Sequence, residues 1–142
     1  MNTIHNHSPS GSLLNPEVST FILRVALGTV LLVHSVYLKL MVYSLPGTAQ
    51  YFATIGLPEF MAYGVFIIEA IAGMALILGF KTRVFSALVI PVLLGATWAH
   101  APNGLIFSNA GGGWEYPLIL GVMAFAQMGL GDGKYAMKPQ IK

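Results

Sequence analysis

The chain has 142 residues, of which 56% are apolar and only 8% charged, with 5 acids, 7 bases, a net charge of +2 and no cysteine. A soluble domain carries roughly 25% charged residues, which it needs to cover its surface. These figures therefore exclude a soluble globule, a disordered tail and a coiled coil, and they point to a chain whose solvent is lipid. The missing cysteines exclude disulfide exchange, iron–sulfur clusters, thiolate metal sites and the membrane thiol oxidoreductases that work through cysteine pairs. Nucleic acid is not a partner either, because the bases flank apolar segments instead of forming a basic patch.

Residues 1–17 form a polar leader with His5 and His7 but no Lys or Arg. A secretory signal needs a basic region ahead of its apolar core, so the leader is expected to precede an uncleaved first span, with both histidines in solvent. Four apolar segments follow, over residues 18–45, 60–80, 84–99 and 116–131. A crossing takes about 20 residues at about 1.5 Å each. The last two segments, at about 16 residues, span only if flanking bases snorkel or the bilayer thins. The expected fold is all-α: an up-down-up-down bundle of four transmembrane helices over residues 18–133, followed by a basic tail, 134–142. Lys81, Arg83, Lys134, Lys138 and Lys142 fall on one side of that bundle, and no Lys or Arg falls in the loops of the other. The positive-inside rule then places both termini in the cytoplasm of a bacterial-type inner membrane.

The outer loops, 46–58 and 101–113, carry turn signals at Pro46-Gly47, Leu57-Pro58 and Asn103-Gly104 and a run of three glycines, Gly111 to Gly113. The glycine run reads either as a flexible turn or as a ligand-facing loop. Trp98, Trp114 and Tyr116 fall where an aromatic belt is expected. Pro91 should kink the third span. Gly64 and Gly73 are too far apart for a GxxxG face, and the Gly129-Leu130-Gly131-Asp132-Gly133 exit is a helix stop, not a phosphate loop.

Ionisable groups inside a bilayer cost about 2.5–3.5 kcal/mol each on the lenient scale and need partners. Counting about 1.5 Å per residue from the outer helix ends puts His34 about 16 Å deep, Glu69 about 15 Å and Lys39 about 9 Å. A His34–Glu69 contact is the best pairing on height alone, with Lys39 within reach. His100 and Glu115 sit at the outer mouth, and Arg24 stands alone near the inner end. Together they outline a pocket near the outer face with His34 and Glu69 as its floor and Lys39, His100, Asn103, Trp114 and Glu115 around its rim. The alternative is an internal clamp made by Glu69 with Lys39 or His34. His34 and His100 differ in depth by about 16 Å, too far to share a haem. No metal site is expected from these ligands.

Arg24-Val25-Ala26-Leu27-Gly28, His34 with Lys39, Gly56-Leu57-Pro58, Glu69 with Gly73 and Leu78-Gly79, Lys81-Thr82-Arg83, His100 with Asn103-Gly104, and Gly113-Trp114-Glu115-Tyr116-Pro117 occur in this order. Over about residues 20–134 the pattern resembles the DoxX family of small four-helix membrane proteins. The resemblance implies a His-Gly-x-x-Lys spacing of four. Here the spacing is five, about 140° around an α-helix, which would turn the two groups to different sides. The resemblance also implies membrane redox chemistry. The leading expectation is the membrane subunit of a quinone-linked oxidoreductase, with Glu69 accepting a proton and His34 or Lys39 donating one. Quinone is the expected ligand, with no covalent cofactor, haem, flavin or iron–sulfur cluster. Such a chain needs a soluble or membrane redox partner and is compatible with a homo-oligomer. The alternative is a non-catalytic membrane protein: a small-molecule or proton pathway, an assembly factor or a scaffold.

Overall fold

A computed structural model describes residues 15–137, and these contain helices and loops but no strand. His5, His7, Lys138 and Lys142 lie outside the described residues. Helix α1 (Pro16–Leu32) starts where Asn15 accepts the Val18 amide at 2.8 Å and Pro16 occupies the first turn. It runs without a break into a π-helical segment, Val33–Val42. The apolar stretch from Pro16 to Val42 is therefore one rod of 27 residues, long enough to cross a membrane.

Residues 46–58 are not the plain loop that their turn signals predict. They hold all but the first residue of α2 (Leu45–Thr54), capped by the Ser44 hydroxyl on the Gly47 amide at 3.2 Å. The Pro46-Gly47 pair lies at the start of this helix, where proline's fixed φ and missing N–H are both tolerated. Helix α3 (Phe60–Leu78) ends on Gly79, whose φ of 72° suits glycine. Helix α4 (Thr82–His100) passes through Pro91, and α5 (Glu115–Leu130) closes the chain of helices. Three helical stretches are long and apolar enough to cross a membrane, while α5 is apolar but has only 16 residues.

The helices pair α1 with α3 and α4 with α5; α3–α4 and α1–α5 contacts join the pairs into a ring. Leu27, Leu31, Leu76, Val89, Leu93 and Leu120 fill its middle. Between α1 and α3 the backbones touch. A Cβ on Gly28 would lie 2.7 Å from the Gly73 carbonyl, and one on Gly73 would lie 2.9 Å from the Gly28 carbonyl. The outside is apolar, with Ile22, Met41, Phe60, Ile71 and Phe125 all exposed. That distribution is the one expected of helices facing lipid.

Candidate functional site

The half of the bundle away from Asn15 and Met137 is organised around the π-helical segment. In a π-helix each amide bonds the carbonyl five residues back; at its end the Tyr43 amide does so with Leu38 at 2.9 Å. Residues five apart therefore stack one above the other. The five-residue spacing that would separate His34 and Lys39 on an α-helix instead stacks their backbone positions on one side of the segment.

Their side chains then part. Lys39 Nζ donates to Glu69 Oε2 at 2.6 Å, with the carboxylate side chain only 6% exposed and the lysine side chain 17%. His34 Nδ1 donates to the Val30 carbonyl at 2.9 Å, and its ring stacks on Tyr116 with centroids 5.7 Å apart. Glu69 is thus held by Lys39 and not by His34. The depth estimate placed His34 and Glu69 at one height, but height does not fix direction around the helix. His34 turns toward α5 and Lys39 toward α3.

A cleft of about 450 Å³ lies between the π-helical segment and α5, lined by His34, Leu38, Phe107, Glu115, Tyr116 and Ile119. A carbonyl can only accept, so the bond to Val30 fixes neutral His34 as the Nδ1–H tautomer. Its Nε2 keeps a lone pair free to take a proton. Glu115 Oε1 accepts the Phe107 amide at 2.8 Å, which fastens the loop before α5 across the cleft. The Phe107 ring lies 5.4 Å from Tyr116. The cleft therefore offers ring faces and aliphatic walls, with one imidazole, one carboxylate and one phenol among its lining side chains. Ligand sites are commonly apolar hollows of this size with a few placed polar groups.

The loop from His100 to Glu115 is tied by its own hydrogen bonds. Asn103 Nδ2 donates to the Gly111 and Gly112 carbonyls at 3.0 Å each. Asn109 returns a bond to the Asn103 carbonyl at 2.9 Å, and the Trp114 and Glu115 amides bond Gly104 and Leu105. The glycine run is thus held by bonds from Asn103 within the loop. The loop holds Phe107 against the cleft. Asn103 is its internal tie, and His100, bonded through Nδ1 to the Ala96 carbonyl at 2.8 Å, sits beside Gly112. Of the seven site residues expected from sequence, His34 and Glu115 line the cleft. Glu69 and Lys39 pair beside it, and His100, Asn103 and Trp114 belong to the loop and its ends. Sequence reading missed Leu38, Phe107 and Ile119 as lining residues and read Tyr116 as a belt residue. The adjacency of Tyr116 to Glu115 was the available signal. A second hollow, near Thr54, Trp98 and Pro102, has no ionisable group. Among the described residues no three His, Asp or Glu side chains gather as metal ligands.

The DoxX family model matches residues 19–102, more than half of the chain. The chain belongs to the DoxX family. It is 39% identical over 104 residues to a Bacillus subtilis (strain 168) protein named "Putative oxidoreductase CatD", a match covering 73% of this chain and 74% of that one. No solved structure matches the chain. The DoxX match takes in His34, Lys39, Glu69 and His100 and stops before Phe107, Glu115 and Tyr116. One wall of the cleft thus belongs to the DoxX region, and the other is built by sequence beyond it.

Proposed function

We propose that this DoxX-family protein is the membrane subunit of a quinone-linked oxidoreductase system and that the cleft beside His34 receives the quinone ring. The observation that carries this reading is an imidazole with its Nε2 lone pair free, lining an apolar, aromatic-walled cleft in a helical membrane protein. The relative's name supports an oxidoreductase system. The reading includes four crossings, with α5 as the fourth in a locally thinned bilayer, and both termini on the cytoplasmic side of an inner membrane.

A quinol supplies two electrons and two protons when it is oxidised. His34 Nε2 takes one proton from a hydroxyl at the cleft wall. Glu115, with Oε1 held by the Phe107 amide, has Oε2 left to take the other. The electrons pass to a redox partner protein. The Lys39–Glu69 pair anchors the π-helical segment to α3 and thereby sets the position of His34. Tyr116 and Phe107 are ring surfaces for offset or edge contacts with a planar ligand.

A second reading has one observation in its favour. The Lys39–Glu69 pair is closed and buried, as expected of a structural clamp in a non-catalytic membrane protein. The two readings separate in a thermal-shift titration of detergent-purified protein with a short-chain quinone. A ligand at about 100 times its Kd stabilises the folded form by about 2.7 kcal/mol. Wild type should gain several degrees, and His34→Gln, measured against its own ligand-free midpoint, should gain nothing. No gain in the wild type refutes the quinone reading.

A further inference from the structure

At the end of the bundle opposite the cleft, Arg24, Thr82, Ser86 and Gln127 are buried at 0% exposure, with Thr20 at 5% and Asp132 at 7%. Some of their hydrogen bonds are made within the protein. Asp132 Oδ1 accepts the Thr82 amide at 3.3 Å and the Thr82 hydroxyl. Arg24 Nη2 donates to the Lys134 carbonyl at 3.2 Å, and Gln127 Nε2 donates to the Gly131 carbonyl at 2.6 Å. Four buried atoms remain without a partner among the described residues: Arg24 Nε and Nη1, Ser86 Oγ and Gln127 Oε1.

Buried polar atoms in proteins are paired, with protein or with ordered water. The Gln127 amide cannot turn to improve its bonding, because its NH₂ is fixed on Gly131 and reversal would set two oxygens face to face. Ser86 is unlike its counterparts. The buried hydroxyls of Thr20, Ser35 and Thr48 each donate to the carbonyl four residues back, and that of Ser86 does not. Segment 131–137 gathers these groups: Gly131 takes the Gln127 bond, Lys134 the Arg24 bond, and Asp132 the bonds of Thr82, one turn before Ser86. Arg24 brings donors, Gln127 an acceptor and Ser86 both. A ligand that accepts from a guanidinium and donates to an amide oxygen is neutral and small; an anion would oppose both Gln127 Oε1 and the Asp132 carboxylate.

We propose that this end of the bundle is a hydrated site, with water held among Arg24, Ser86 and Gln127 beneath residues 131–137. The covering segment is fastened by the Lys134 amide on the Glu17 carbonyl and the Met137 amide on the Leu78 carbonyl, both at 3.1 Å, and by the Tyr135 ring on Phe21. The site is independent of the quinone reading.

Arg24 and Arg83 are the only arginines in the chain, so ¹⁵N-arginine labelling of the full protein in lipid bilayers gives two side-chain Nε signals. Arg83→Lys assigns them. Water-to-protein magnetisation transfer by solid-state NMR should reach buried Arg24 Nε as fast as exposed Arg83. Removing one of the roughly three bonds a buried water makes should slow that transfer about twofold in Ser86→Ala and in Gln127→Leu. Transfer to Arg24 Nε as slow as to the Arg24 backbone amide, which lies inside α1, overturns the proposal in wild type. So does fast transfer unchanged in both variants, or an Arg24 shift that follows added inorganic phosphate. If Gln127→Leu fails to fold, Ser86→Ala and the wild-type rates still decide.

Discussion

Replacing Glu69 with Gln leaves the Lys39 ammonium facing a neutral amide in a site that is 6% exposed on the acid side and 17% on the base side. Removing one partner of a buried pair costs about 3–5 kcal/mol, because the remaining charge keeps its desolvation penalty. The lysine is the wetter partner, so the lower end, about 3 kcal/mol, applies to Glu69→Gln. Near the melting point a chain of this length loses about 3–4 °C per kcal/mol, so the midpoint should fall by about 10 °C. Lys39→Met should do at least as much, since it strands the drier carboxylate. The double variant, Lys39→Met with Glu69→Leu, should recover most of the loss, because apolar replacement of both partners is often neutral. The assay is a double-mutant cycle on detergent-purified protein followed by thermal unfolding. A coupling below about 0.5 kcal/mol is what exposed pairs give, and it would refute the view that this pair anchors the π-helical segment.

Other perturbations follow from the same geometry. Gly28→Val places a Cβ 2.7 Å from the Gly73 carbonyl and should lower stability by about 1–3 kcal/mol through overpacking. Gly64→Ala, whose new methyl meets open space, should not lower stability and gains up to about 1 kcal/mol of helix propensity; thermal unfolding of the two variants side by side checks the contrast. Asp132→Ala removes the acceptor from the first amide of α4 and should lose about 0.5–2 kcal/mol in the same assay. Asn103→Ala releases two glycine carbonyls, and hydrogen exchange at the Gly111 and Gly112 amides should accelerate with the helices unchanged. Because the chain lacks cysteine, Lys81→Cys and Asn109→Cys each introduce a single thiol. An impermeant maleimide should reach position 109 from the outside and position 81 only after the membrane is opened.

The long apolar helices were legible because burial in lipid writes itself as composition. Segment 60–80 appears as α3 and segment 84–99 as the heart of α4. Asn15 with Pro16 starts α1 and Gly79 ends α3 by ordinary cap chemistry. The helix α2 was not legible, because Pro-Gly is as good a helix start as a turn, and only the Ser44 cap decides between them. For the site, height along the bundle could be counted from sequence, while direction around each helix could not. That is why His34 was named as the first partner of Glu69, where the structure gives Lys39. The polar cluster opposite the cleft was the least visible. Thr82, Ser86 and Gln127 are ordinary in sequence, and only the packing of α4 on α5, with the Arg24 side chain reaching Lys134, gathers them.

The π-helical run from Val33 to Val42 also bears on how the chain tolerates changes of length. A wide turn of this kind accommodates one more residue than an α-helix between the same two stacked positions. The resemblance implies four residues from His to Lys where this chain has five. An insertion here need not rotate everything that follows, because the turn swells to absorb it. Conversely, a chain shortened by one residue between His34 and Lys39 would relax to ordinary α-helical pitch. It would still deliver the lysine to Glu69 and the imidazole to Tyr116. The segment is thus a register buffer, one place in the bundle where the genetic text can gain or lose a codon without shearing the outer contacts apart.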